Sequence, residues 1–362
     1  LIQKDLAATL MRIAEKGRKG FYQGKTADLL IAQIRRNAGI IRHTDLLNYT
    51  AVERQPVCGD YRGNQVCAMP PPSSGGVHLI QMLNILEGWD LNALGHNSAA
   101  YLHRLVESMR RAYADRSLHL GDPDFYPVPA EQLTNKKYAA VLREQIDLLK
   151  ASRSSEIQPV PAVATSESPE TTHFATWDRW GNVVSNTYTI NFSYGSGIAV
   201  AGGGFLLNNE MDDFSSKPGS ANGYGLIGGE ANAIQPGKRP LSSMTPTIVF
   251  DPQGDALLAT GSPGGSTIIT VVLQILLNSI DFAMGIAEAT AAPRIHHQWL
   301  PDKLRYERGI SVDTLNLLTE MGHQLGEKPV RLGATQSISS DKNKIKYAAS
   351  DPRREGAAPI AE

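Results

Sequence analysis

Residues 166–191, SESPETTHFATWDRWGNVVSNTYTIN, contain the sharpest change of texture in the chain. A polar stretch over residues 151–170, with repeated Ser and Pro, stops at Thr171-Thr172, and an alternation of buried-type and exposed-type residues starts at once with His173, Phe174, Ala175, Thr176 and Trp177. Such alternation predicts a half-buried strand. Arg179-Trp180-Gly181 fits a three-residue hairpin loop with glycine at the left-handed position, and a returning strand follows over 182–190. The loop length sets the register. With Asp178 opposite Asn182, Thr171 falls opposite Thr189 on the same face, so a hydroxyl at the very start of the sheet gains a hydroxyl neighbour.

A threonine in that position has two readings. It is an ordinary strand entrance after a loop, since Thr favours strands. Alternatively, once the chain before it is cut, it carries its own base: an α-amino group titrating at about 7.7–8.0 sits on the same residue as the nucleophilic hydroxyl, and no histidine is needed.

Composition narrows the classes. Of 362 residues, 41% are hydrophobic and 20% charged, enough for a large core, and 35 Lys and Arg against 36 Asp and Glu leave a net charge of −1. This balance argues against a nucleic-acid partner. No run reaches the ~18 apolar residues of a membrane span, and no signal-peptide pattern opens the chain. The first residue is Leu1, inside a helical pattern, so a fragment or matured product is expected. Cys58 and Cys67 flank a turn centred on Arg62-Gly63. They face each other across a hairpin either as a disulfide, which requires an oxidising compartment, or as two small thiols in a reducing one.

Helices are expected over 1–16, 25–37, 77–86, 98–115, 135–149, 268–277, 282–292 and 312–321. Strands are expected on either side of Arg62-Gly63, over 195–207, 245–250 and 256–260, and around Asp341-Lys342-Asn343-Lys344. Helices, then strands, then helices again predict sheets covered by helices. Pro70-Pro71-Pro72-Ser73-Ser74-Gly75-Gly76 reads as a sharp strand-to-helix connection. Glu210, Asp212 and Asp213 gather carboxylates at a strand end, a site for a cation or simply a solvated loop. Ser242-Ser243 offers adjacent hydroxyls, which reach one ligand together only where the backbone is irregular. Backbone N–H groups of Gly264 and Gly265, at a helix entrance, suit an oxyanion, although plain turn geometry explains them too. His296-His297 lacks metal-ligand spacing, and no CxxC or HExxH occurs, so structural histidines and no metal or cofactor are expected.

Taken in order and spacing, TTHFATWDRWGNVVSNTYTIN, LLNNEMDDFSSKPG, YGLIGGEANAIQPGKRPLSSMTPTIV and TGSPGGSTIIT resemble the γ-glutamyltranspeptidase family of N-terminal nucleophile hydrolases. AVERQPVCGDYRG, PPPSSGG, YADRSLHLGDPDF and LTNKKYA resemble the end of that family's large subunit. The resemblance implies an α+β fold, a four-layer αββα sandwich, here incomplete at the N-terminus. Residues 1–170 would be the C-terminal part of the large subunit, ending in a flexible linker over 151–170, and residues 171–362 the small subunit.

The resemblance further implies self-cleavage between Glu170 and Thr171. A Thr171 acyl-enzyme would then form on a γ-glutamyl donor such as glutathione, and water or an amino-acid or dipeptide acceptor would take the acyl group. Thr189 would support the nucleophile, and Gly264 and Gly265 would hold the oxyanion. Asn191, Glu210 and Asp213 would bind the donor ammonium, Ser242 and Ser243 its α-carboxylate, and a loop over 218–229 centred on Tyr224 would cover the pocket. Glu210 departs from the Gln common in the family, a change of charge balance. The family's carboxylate-binding arginine lies in an N-terminal half that this chain lacks, and no residue here is assigned that role. A periplasmic or secreted location follows by analogy, and with it the disulfide. The alternatives are a relative with an altered donor, of poly-γ-glutamate or cephalosporin acylase type, and a catalytically silent chain.

Overall fold

The structure is a computed structural model and describes residues 2–157 and 171–354. The expected cleavage residue Glu170 lies outside the described residues.

The chain forms two compact units, the first comprising residues 1–54 and 190–210 and the second residues 55–189 and 211–362. In the first unit, helices Lys4–Lys16, Arg18–Tyr22, Gly24–Arg36 and His43–Asn48 follow one another closely. Gly20 lets two of them meet, because a Cβ there would lie 2.0 Å from the Arg12 carbonyl oxygen. Thr9 Oγ1 donates to Gly203 O at 2.8 Å and ties the helices to residues 190–210. The strand expected over 195–207 is absent. Gly195, Gly197, Gly202 and Gly204 all have positive φ and turn the backbone repeatedly, leaving only an isolated bridge between Ala199 and Leu206.

The second unit contains the strands β1 (Val57–Tyr61), β2 (Asn64–Ala68), β3 (Thr172–Trp177), β4 (Val183–Tyr188), β5 (Thr247–Phe250), β6 (Ala256–Thr260), β7 (Ile295–His296), β8 (Arg305–Tyr306), β9 (Gln336–Ser340) and β10 (Lys346–Ser350). Six of them make one antiparallel sheet in the order β1-β2-β5-β6-β9-β10, while β3 pairs with β4 and β7 with β8. Cys58 opposes Cys67 and the two are joined as a disulfide.

Against one side of the large sheet lies helix Gly75–Leu86, with every residue buried; it is mostly apolar, and its His78, Gln81 and Asn84 find hydrogen-bond partners inside. It packs on helices Ala99–His119, Lys136–Glu144 and Thr267–Ile280. The β3–β4 ladder also stacks on the sheet, and Ser185 joins the two: its hydroxyl donates to Thr260 O at 2.9 Å and accepts from Thr247 N at 3.1 Å. The fold is thus α+β, with helices, a sheet and a second ladder in layers.

Helix Ala99–His119 runs past the 98–115 expected for it and is buried along most of its length. His103, Arg104, Glu107, Arg110, Arg111 and Arg116 are all buried along it. Three of them share internal ion pairs: Glu107 pairs with Arg110 and Arg111, and Arg110 also pairs with Asp302.

Candidate active site

The β3–β4 register is the one that the hairpin loop predicts, with Thr172 opposite Tyr188 and His173 opposite Thr187. Asp178 closes the loop: its backbone N–H donates to Asn182 O at 3.0 Å, and its carboxylate accepts from the N–H groups of Trp180 and Asn182. One position before β3, the Thr171 hydroxyl donates to Thr189 Oγ1 at 3.3 Å. Thr171 is 8% exposed, and its carbonyl oxygen accepts from Arg354 Nη1 at 3.3 Å. Arg354 follows Asp351 and Arg353, which are held by a buried network through Arg294, Glu307 and Thr335.

Beside the ladder, His173 is buried with its Nδ1 2.8 Å from Thr187 Oγ1, and burial lowers its pKa from the ordinary value to about 4. It is therefore a neutral packing residue next to the nucleophile candidate. Gly261 must be glycine for the same reason, since a Cβ there would lie 2.3 Å from the His173 ring.

Gly264 and Gly265 have φ of 137° and 53°, a conformation that side chains resist, immediately before helix Thr267–Ile280. Among the described residues neither N–H donates to an internal acceptor, so both remain available to an anion. Tyr224 is buried with its ring over Gly265, where an added Cβ would meet the ring at 2.4 Å. Gln298 fixes this placement by donating to Tyr224 O at 3.1 Å and accepting from Ser266 Oγ at 2.7 Å.

Asp213 ends the 3₁₀ turn Glu210–Asp213. Its backbone carbonyl accepts from Asn232 Nδ2 at 2.7 Å, and Asn232 Oδ1 accepts from Leu241 N at 3.0 Å, so one side-chain amide ties the acidic loop to the Ser242-Ser243 segment. That segment has no regular strand structure, the condition under which adjacent hydroxyls can serve one ligand. Asn191 and Glu210 belong to the first unit. There Asn191 is buried at φ 73° and donates to Asn209 O at 3.1 Å, while Glu210 N donates to Asn208 Oδ1 at 3.0 Å.

Both His296 and His297 are buried, with burial lowering both pKa values, that of His297 to about 4. They act as structural residues, bonded to Thr270, Gln298 and Asp302.

The family model described as Gamma-glutamyltranspeptidase matches residues 1–361. The chain belongs to the γ-glutamyltranspeptidase family. It is 53% identical over 353 residues to the glutathione hydrolase proenzyme of Escherichia coli (strain K12), covering 98% of this chain and 60% of that protein. Among solved structures it resembles a cephalosporin acylase from Bacillus halodurans, with TM-score 0.84, 26% identity and coverage of 99% of this chain and 63% of the other. It also resembles a γ-glutamyltranspeptidase chain from Pseudomonas nitroreducens in complex with L-DON, with TM-score 0.51 and 47% identity over 53% of this chain and 100% of that one. The fold is therefore that of the N-terminal nucleophile acylases, and the chain spans about three fifths of the curated relatives' length.

Arg354, which reaches Thr171, and Asn232, which ties Asp213 to Leu241, are given no role by the sequence alone. Each lies within or near a stretch rich in Gly, Pro or charge. Nothing local in those stretches says which distant backbone group the side chain reaches.

Proposed function

We propose that this chain is the catalytic part of a γ-glutamyl hydrolase and transferase acting on glutathione-type donors. The observation that carries the reading is the Thr171–Thr189 hydroxyl contact at the first position of β3. Family membership and the relative's name, glutathione hydrolase proenzyme, support it.

In maturation, Thr171 Oγ attacks the carbonyl carbon of Glu170. The C–N bond breaks as the nitrogen takes up the hydroxyl proton, and water hydrolyses the resulting ester to a Glu170 carboxylate and a free Thr171. Residues 1–170 and 171–362 then become parts of a large and a small subunit. In turnover, the free α-amine accepts the hydroxyl proton while Oγ attacks the donor's γ-carbonyl, and the proton passes to the leaving amine. Gly264 and Gly265 N–H groups bind the oxyanion, with Tyr224 covering them. Water or an amino-acid or dipeptide amine takes the γ-glutamyl group from Thr171. Asp213 binds the donor ammonium, and Ser242 and Ser243 bind its carboxylate.

A periplasmic or secreted location accords with the Cys58–Cys67 disulfide. Among the described residues no helix is long and apolar enough to cross a membrane.

The acylase alternative is tested by comparing a γ-glutamyl anilide with the glutaryl anilide that lacks only the α-amine. Faster cleavage of the γ-glutamyl compound by the full-length gene product is expected. Equal or faster cleavage of the glutaryl compound would favour an acylase.

A further inference from the structure

The motif Pro70–Gly76 and the buried Arg116 converge on the Ser242-Ser243 segment. Ser73 and Ser242 form a parallel bridge. Ser242 N donates to Pro72 O at 2.8 Å, and both Ser74 N and Ser74 Oγ donate to Ser242 O at 2.9 Å. Ser73 Oγ reaches Met244 O at 2.7 Å. Gly75 permits this approach, because a Cβ there would lie 2.4 Å from Met244 O. The motif is therefore a brace for the two serines as well as a turn into a helix.

Arg116 completes the arrangement. It is 5% exposed, and it donates from Nε to Ser74 Oγ at 2.9 Å and from Nη2 to Ser243 Oγ at 3.1 Å. Among the described residues it makes no ion pair, and its Nη1 donates to nothing. A guanidinium stays charged even when buried, and an uncompensated buried charge is costly. Burial lowers its pKa, with Tyr113 and Asp213 acting in the opposite direction.

Hydroxyl geometry gives that charge a direction. Ser243 Oγ accepts from Arg116, and Ser242 Oγ accepts from Met244 N at 3.0 Å. Each hydroxyl oxygen is thus engaged as an acceptor while its hydrogen is left to donate, which makes the pair a double donor suited to an anion.

Resting on the γ-glutamyl reading, we propose that Arg116 is a positioning residue for the donor α-carboxylate: it holds Ser243 in the donating orientation and supplies positive charge behind it. It acts through Ser243 and does not touch the reacting atoms.

The test uses the full-length gene product, its Arg116→Gln, Arg116→Lys and Ser243→Ala variants, and two substrates: γ-glutamyl anilide and 4-aminobutyryl anilide, which lacks only the α-carboxylate. Arg116→Gln is expected to raise KM for the γ-glutamyl substrate about tenfold or more, with kcat little changed and 4-aminobutyryl hydrolysis unaffected. Arg116→Lys should restore part of the loss, and adding Ser243→Ala to Arg116→Gln should cost less than the two single effects combined. A matured Arg116→Gln enzyme with parental KM, or equal losses on both substrates, would overturn the proposal. So would failure of both arginine variants to self-cleave, which marks a purely structural residue. If the parent itself does not prefer the carboxylate-bearing substrate, the γ-glutamyl reading fails, an outcome distinct from failure of the Arg116 assignment.

Discussion

Thr171 Oγ1 and Thr189 Oγ1 lie 3.3 Å apart, joined across a hairpin whose loop comprises Arg179, Trp180 and Gly181. The nucleophile candidate is thereby oriented by a residue only 18 positions away, and the contact is as secure as the ladder that carries it.

Replacing Thr171 by Ala in the full-length precursor should leave a single band on a denaturing gel where the parent gives two. Two bands from the variant would show that an external protease makes the cut. Thr189→Val, which removes the hydroxyl but keeps the branched shape, should slow hydrolysis roughly 3–10-fold, the worth of one hydrogen bond. Unchanged kcat in a matured Thr189→Val enzyme would remove Thr189 from the mechanism.

Asp213→Ala should abolish most turnover of a γ-glutamyl anilide without blocking maturation. Truncating one partner of a desolvated charge pair costs about 2–5 kcal/mol. Steady-state kinetics decide this, and near-parental kcat/KM would exclude Asp213 from ammonium binding.

Gly261→Ala should destabilise the fold by about 1–3 kcal/mol through overpacking, because the new methyl collides with the His173 ring. The collision has an identified partner, so a double-mutant cycle is diagnostic. In a His173→Ala background the cost of Gly261→Ala should shrink, and equal costs in both backgrounds would show that the ring is not the obstacle.

Acid should weaken the second unit in a window set by its buried histidines. Burial holds His173 at about 4, below the ordinary 6.5, so the unfolded chain binds more protons between these values. The stability that depends on neutral His173 is therefore complete above pH 6.5 and is lost as pH falls toward 4. The loss is on the order of 3 kcal/mol from this group alone. Urea midpoints measured across that range should fall less steeply for His173→Asn than for the parent, and parallel slopes would contradict the assignment.

The sequence by itself determined what is local. Loop length and strand alternation specified the β3–β4 register and hence the Thr171–Thr189 pairing, because a side-chain period of two leaves one residue of slip no place to hide. The same reasoning placed Cys58 opposite Cys67 about the Arg62-Gly63 turn. It also placed Gly264-Gly265 at a helix entrance, where positive φ selects glycine.

The tertiary structure alone decided the rest. Arg116 falls just past the helix expected over 98–115 with nothing local to mark it, yet it is buried against Ser243, 127 residues away. Arg354 reaches the carbonyl of Thr171 across 183 residues. Asn232 is a small polar residue in a loop until Asp213 and Leu241 are seen on either side of it. Periodicity reports which residues share a face, but not what packs against that face. A buried polar group can persist only where a specific distant partner satisfies it.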